Sequence, residues 1–221
     1  MNTIEKLLET EWEMFHNVNG EDRTSCQDDF STFCAMRRAQ YDVWSEKTVE
    51  SYYHDLLRAK EAGVNLLRQK YIYMMKTTDP EGFAHFSGEL PETSAEAAAL
   101  VEEIWSYQLR QTVKMREKYP VIALGGRPLY ASEETEWPSI ETYQKSELRT
   151  YSEQTLKSLL EDIRALDAQG IDYAFQVQKN SVLCMGYQTM EEAETALALQ
   201  ILAEFGAEPG GCSCCGGGDG C

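Results

Sequence analysis

Apolar residues at Ile4, Leu7, Leu8, Trp12, Phe15 and Val18 fall three and four apart. That spacing lays them along one face of a helix, and Asn19-Gly20 ends the run. The stripe Phe30, Phe33, Cys34, Tyr41 and Trp44 predicts a second helix that starts near Asp28 or Asp29, where a carboxylate suits the helix dipole. A longer stripe, from Val49 through Tyr52, Leu56, Val64, Leu67 and Tyr71 to Met75, predicts one helix from about Thr48 to Lys76, kinked at Gly63 and stopped by Asp79-Pro80. The chain from Phe83 to Pro91 reads as loop. Thr93 or Ser94 then caps a helix that carries Leu100, Val101, Ile104, Trp105, Gln108 and Met115 to Tyr119-Pro120.

Gly and Pro punctuate the stretch from Leu124 to Pro138, too long for a casual connection and marked as a packed loop. Helices are expected again from Ser139 to Thr150 and from Ser152 to Gln169, the second capped by Ser152 and closed by Gly170. Thr189-Met-Glu-Glu192 has the form of a capping box and opens a last helix that ends at Phe205. Between these, Ile171, Tyr173, Phe175 and Val177 alternate with polar or small residues, the period of a short strand, but a lone strand would have no partner. The pattern therefore predicts a mainly α fold. It is a single helical domain of about seven to eight helices over residues 1–205, with a long central Gly/Pro loop and a flexible Cys/Gly-rich tail over residues 206–221.

Charge narrows the partners. With 37 acidic against 20 basic residues the formal net charge is −17, which repels phosphate backbones and anionic lipid, and the basic residues form no cluster. Nucleic acid and membrane surfaces are not expected as partners. No window reaches the roughly 18 apolar residues of a membrane span, and the N-terminus has no basic region followed by a long apolar run, so a cytoplasmic protein is expected.

The tail changes the picture most, since four of the seven cysteines, Cys212, Cys214, Cys215 and Cys221, lie in the last ten residues among glycines. In a reducing compartment such thiols favour metal or redox chemistry over a disulfide framework. As thiolates they would select Zn(II), Cu(I) or an iron-sulfur cluster, and glycine would free the backbone to wrap the ion. Adjacent Cys214 and Cys215 fit a labile or clustered site better than a fixed tetrahedral one. The tail could pass a metal or a sulfur species to a protein partner. Gly210-Gly211 offers another reading, a boundary at which a modified Cys-rich peptide is cut from an oversized leader.

Within the body, Glu13-Met-Phe-His16 has the Glu-x-x-His spacing of carboxylate-bridged two-metal bundles, but Glu50 with His54 and Glu81 with His85 are each off by one. Arg23-Thr-Ser-Cys-Gln-Asp-Asp29 places a thiol, Cys26, and two carboxylates, Asp28 and Asp29, at a predicted helix start that could activate the thiol. Arg37 follows two to three turns later. The alternative is that Asp28 and Asp29 only cap that helix. In the central loop Arg127 could clamp a carboxylate or phosphate beside Glu133 and Glu134, or could simply tie the loop to the helix start at Glu141. An enzyme would draw its catalytic pocket from Cys26, Asp28, Asp29, Arg37, Arg127 and Glu133, and a convergence of Arg127 on the Cys26 to Asp29 segment is expected.

Phrases such as Glu11-Trp-Glu-Met-Phe15, Ser25-Cys-Gln-Asp-Asp29, Thr32-Phe-Cys-Ala-Met-Arg37, Gly126-Arg-Pro-Leu-Tyr130, Glu141-Thr-Tyr143 and Glu147-Leu-Arg-Thr-Tyr151 resemble a bacterial family known only as a domain of unknown function. The resemblance spans roughly residues 4–205 and does not place the Cys-rich tail. It implies a single helical domain of bacterial cytosolic origin and no particular activity. It also implies a helix, in place of the alternating strand, through Asp172 to Ser181, and that expectation is adopted.

Overall fold

A computed structural model describes residues 2–18, 28–134 and 137–206. Among them lie eleven α-helices and no strand: α1 (Thr3–His16), α2 (Phe30–Tyr41), α3 (Glu46–Glu61), α4 (Leu66–Thr78), α5 (Pro80–Phe86), α6 (Ala95–Lys118), α7 (Pro120–Leu124), α8 (Ile140–Leu148), α9 (Glu153–Ala168), α10 (Tyr173–Cys184) and α11 (Met190–Gly206). The mainly helical class stands, with eleven helices in place of the expected seven to eight. The tail, including Cys212, Cys214, Cys215 and Cys221, lies outside the described residues, as does Cys26.

Three local causes account for the extra helices. Gly63 adopts φ +68, a left-handed conformation that costs glycine little. Its N–H and that of Val64 reach back to the carbonyls of Lys60 and Ala59 at 3.1 and 2.8 Å, a closed helix end. The expected single helix from Thr48 to Lys76 is therefore two, α3 and α4, and Asn65 caps the second through Arg68 N–H. Asp79 and Pro80 stop α4 as expected, but the same pair starts α5, with Asp79 accepting from Gly82 N–H and Pro80 at the first helical position, where no N–H is needed. Pro120 likewise takes the first position of the single turn of α7, whose free N–H groups at Val121 and Ile122 donate to Glu194 of α11.

The segment from Ile171 to Val177 enters α10. Its alternation fits a helix because the helix is wedged between two apolar clusters. Tyr173 and Val177, one turn apart, face the main core, while Phe175 and Val182 pack with Tyr119 and Met190. Two-sided burial overrides the apparent two-residue period. The serine caps at Ser94, Ser139 and Ser152 are all present.

Six helices close a ring in the order α1, α3, α9, α6, α10, α2, each packed on the next, and α4 and α8 plug it, α4 against α1 and α8 against α6. Inside lie the fully buried Leu7, Leu56, Ile104, Leu156, Leu159 and Ile163. Short hydroxyl side chains let α3 and α9 approach closely: Thr48 meets Ser158 at 2.7 Å and Ser51 meets Thr155 at 2.8 Å, with Asp162 and Asp55 accepting from the same hydroxyl rows. No helix of the described residues is long and apolar enough to cross a membrane.

Candidate functional site

The apolar stripe of α1 carries one charge in its middle, Glu11, which is fully buried. An unpaired carboxylate there would be prohibitively costly, so the fold brings partners to it. Arg37 of α2 donates from Nη2 and Nε to its two oxygens at 2.6 and 2.9 Å, the bidentate geometry a guanidinium favours. The third arm of the same guanidinium, Nη1, reaches Glu147 of α8 at 2.8 Å. Lys70 of α4 donates to the other Glu147 oxygen at 2.6 Å. Three tyrosine hydroxyls complete the shell: Tyr41 and Tyr52 donate to Glu11 at 2.6 and 2.9 Å, and Tyr151 donates to Glu147 at 2.7 Å. Two cations and two anions leave the group neutral.

The protonation states follow. Burial alone would lift the Glu147 carboxyl, but Arg37 and Lys70 outweigh it and hold it far below the ordinary carboxylate range. Burial likewise works against the charges of Arg37 and Lys70, and the adjacent carboxylates reverse it and raise both. Burial pushes the hydroxyls of Tyr41, Tyr52 and Tyr151 up, so they remain donors at any physiological pH.

Beside this network the packing opens into a cleft of two adjoining cavities, of about 440 and 350 Å³, which share Met36, Arg127 and Tyr143 in their walls. The larger lies between α2, α6, α8, α10 and the central loop. It is lined by Trp105, Met115, Ile140, Tyr173 and Val177 together with the amides of Gln40, Gln108, Gln144 and Gln178. The smaller reaches down to Arg37 and Lys70. Gln108 is 5 % exposed, and its Oε1 has no hydrogen-bond partner. Arg127 donates to the Pro138 carbonyl at 3.2 Å and lies over the ring of Tyr143, 5.1 Å from its centroid. Lys70 Nζ lies 3.5 Å from the same centroid. A broader hollow of about 660 Å³ lies over Glu46, Glu50, His54 and Arg58. It is a surface dish of charged side chains and contains no buried polar atom left without a partner.

The central loop is held by its own carboxylates. Glu133 accepts from the N–H groups of Leu129 and Tyr130 at 3.2 and 3.3 Å, Glu134 from Ser139 at 2.8 Å, and Glu141 from Ala131 at 3.1 Å. Arg127 bridges the loop to Pro138, and Arg116 of α6 donates to the Arg127 carbonyl at 3.1 Å. The loop is thus a built rim that aims one guanidinium inward.

Of the other residues singled out from sequence, Asp29 caps α2, accepting from the Thr32 N–H and hydroxyl at 2.9 and 2.7 Å, and these bonds lower its pKa. Asp28 precedes it and is exposed. Thr32 and Arg37 of α2 line the smaller cavity with Arg127, but Asp28 and Asp29 do not, and Cys26 lies outside the described residues, so the expected convergence of Arg127 on the Cys26 to Asp29 segment is not among the contacts described. Cys34 is half-buried, and burial raises its thiol pKa; Cys184 is exposed and directed at the Ala35 carbonyl. Glu13 pairs with Lys60, and His16 packs on Trp12. Among the described residues no group of three or more His, Cys, Asp and Glu is placed to hold a metal.

Sequence reasoning passed over Glu11, Lys70 and the tyrosine shell, and it did not weigh Gln108 as a site. For Glu11, Lys70 and Gln108 a signal was present. Glu11 sits three residues after Leu8 and three before Met14, Lys70 three after Leu67 and four before Met74, and Gln108 three after Trp105; each is a polar residue on an apolar stripe.

No curated protein and no solved structure matches the chain. The family described as "Protein of unknown function (DUF4125)" matches residues 1–195, which include every residue of the charge network and of the cleft walls, and the chain belongs to that family.

Proposed function

We propose that this is a ligand-binding protein whose cleft between α2, α6, α8, α10 and the central loop holds a small organic molecule. The observation that carries the reading is Arg127, a guanidinium in the wall of both cavities that meets a backbone carbonyl and a ring face and, among the described residues, no carboxylate, so its charge stands ready for an anion from outside the chain. The cavity volume falls within the usual range for small-molecule sites. The described lining contains no His, Cys, Asp or Glu, and its two inner cations, Arg37 and Lys70, are held by carboxylates, which favours holding a molecule over breaking its bonds.

The test is a screen of the full-length protein against a small-molecule library by ligand-observed NMR, repeated on Ala174→Trp, which fills the larger cavity. Hits that vanish in the filled variant while its circular dichroism is unchanged support the reading. Hits that persist there, or none at all, end it.

A second reading rests on the spacing Cys212-x-Cys214-Cys215-x5-Cys221, which suits a soft ion, Zn(II) or Cu(I), held for transfer to a protein partner in the cytoplasm. Anaerobic purification followed by elemental analysis and intact mass checks it. Replacing the four cysteines by Ser is expected to abolish thiol-dependent metal binding. An intact mass ending at Gly211 would favour the precursor alternative.

A further inference from the structure

We infer that the molecule the cleft takes is a small monocarboxylate: an apolar or aromatic body that bears one carboxylate, held by Arg127, and an amide or hydroxyl group that the glutamine side chains of the wall can read. This rests on the cleft being a binding site, as proposed above.

Charge decides the anion. Three cations line the two cavities, Arg37, Lys70 and Arg127. The first two are balanced within the protein by Glu11 and Glu147. Among the described residues no carboxylate pairs with Arg127, whose contacts are the Pro138 carbonyl and the face of Tyr143. The neighbouring Arg116 is turned to the loop backbone and does not line the cleft. One uncompensated positive charge matches one negative charge. A phosphate monoester would bring roughly two at neutral pH and leave an excess anion beside Glu147 and Glu11, inside a protein of net charge −17. A guanidinium backed by an aromatic ring presents its remaining N–H groups in a plane, the geometry that grips a carboxylate with two bonds.

The rest of the wall decides the body. Trp105, Met115, Ile140 and Val177 offer apolar surface, and the glutamines are neutral, able to read amides or hydroxyls but not to neutralise a second charge. N-acetyl amino acids with apolar side chains combine an apolar body, one carboxylate and one N–H, and serve as probes.

The full-length protein is titrated with matched pairs of N-acetyl amino acids, each as the free acid and as its C-terminal carboxamide, and with phenyl phosphate as a dianion. The acids are expected to bind roughly tenfold or more tighter than the carboxamides, the size of one charge-assisted hydrogen bond, and phenyl phosphate less tightly than the acids. Arg127→Gln brings the acid-to-carboxamide ratio near one without abolishing carboxamide binding. Arg127→Lys keeps the charge, loses the fork and leaves an intermediate ratio. Carboxamides that bind as tightly as acids, in a manner blocked by Ala174→Trp, overturn the monocarboxylate and leave the cleft in place, as does an acid preference that survives Arg127→Gln. Silence from every probe and from the library screen overturns the cleft and the monocarboxylate together.

Discussion

Arg37 and Arg127 stand in the wall of the same cavity and are used in opposite ways. Arg37 spends its guanidinium on Glu11, Glu147 and the Tyr41 hydroxyl within the protein, and the group it anchors is closed, neutral and hydrogen-bonded throughout. Arg127 reaches a backbone carbonyl and a ring face, and in the wall of the larger cavity Gln108 holds a buried, unmet acceptor. Burial explains the first arrangement, because charges taken fully out of water survive only when paired. The second persists because the site is only partly closed and the chain leaves its polar groups available. Adjacent walls thus separate what holds the fold together from what can bind.

Breaking the closed side should have the largest effect. Arg37→Met leaves Glu11 and half of Glu147 buried without their partner, and is expected to destabilise by about 3–5 kcal/mol, lowering Tm by about 10 °C in differential scanning calorimetry. A loss below about 1 kcal/mol would show that the network is not a closed, interdependent group. Acid probes the same side. The Glu147 carboxyl is lowered in the folded state relative to its ordinary 4.5, so the stability it contributes is fully present above that value and drains away as pH falls below it. Urea titrations between pH 6 and 3 should show Cm falling in the wild type, and falling less steeply in Glu147→Gln from its lower starting point. Lys70 works at the other end, its raised pKa meaning that its contribution holds below the ordinary 10.5 and is lost only as pH rises above it.

The open side should respond with a smaller change of opposite sign. Gln108→Leu removes a buried, unsatisfied acceptor and is expected to leave the protein unchanged or to stabilise it by roughly 1 kcal/mol. A clear drop in Tm would mean that Gln108 serves the fold. Smallest of all, truncation after Glu208 should leave Tm within about 2 °C, because the apolar stripes that make the core end before the tail.

The helical class, the serine caps and the outlines of α1, α6, α8 and α9 could be read from spacing alone because each helix turns one apolar face to one core. Where a helix faces two clusters, as α10 does, the period blurs, and only the resemblance to the family pointed to a helix. Gly63 could be placed but not read, since the same residue permits a kink or a full stop and the choice depends on where α4 must lie to bring Lys70 to Glu147. Arg37 and Arg127 were legible as cations worth following, and Asp29 as a helix cap. The division of labour between the two arginines was not, because it depends on partners far along the chain and on a cavity that no local pattern encodes.

The separation between Arg37 and Glu147, 110 residues along the chain, also bears on how the molecule comes apart. A contact that distant forms only after the intervening helices have docked, and burying four charges before all their partners arrive would raise the barrier to folding. The network should therefore assemble on the native side of the transition state. Changes within it would then leave refolding times nearly untouched and act on the lifetime of the folded state, making these buried charges a latch on escape from the native fold.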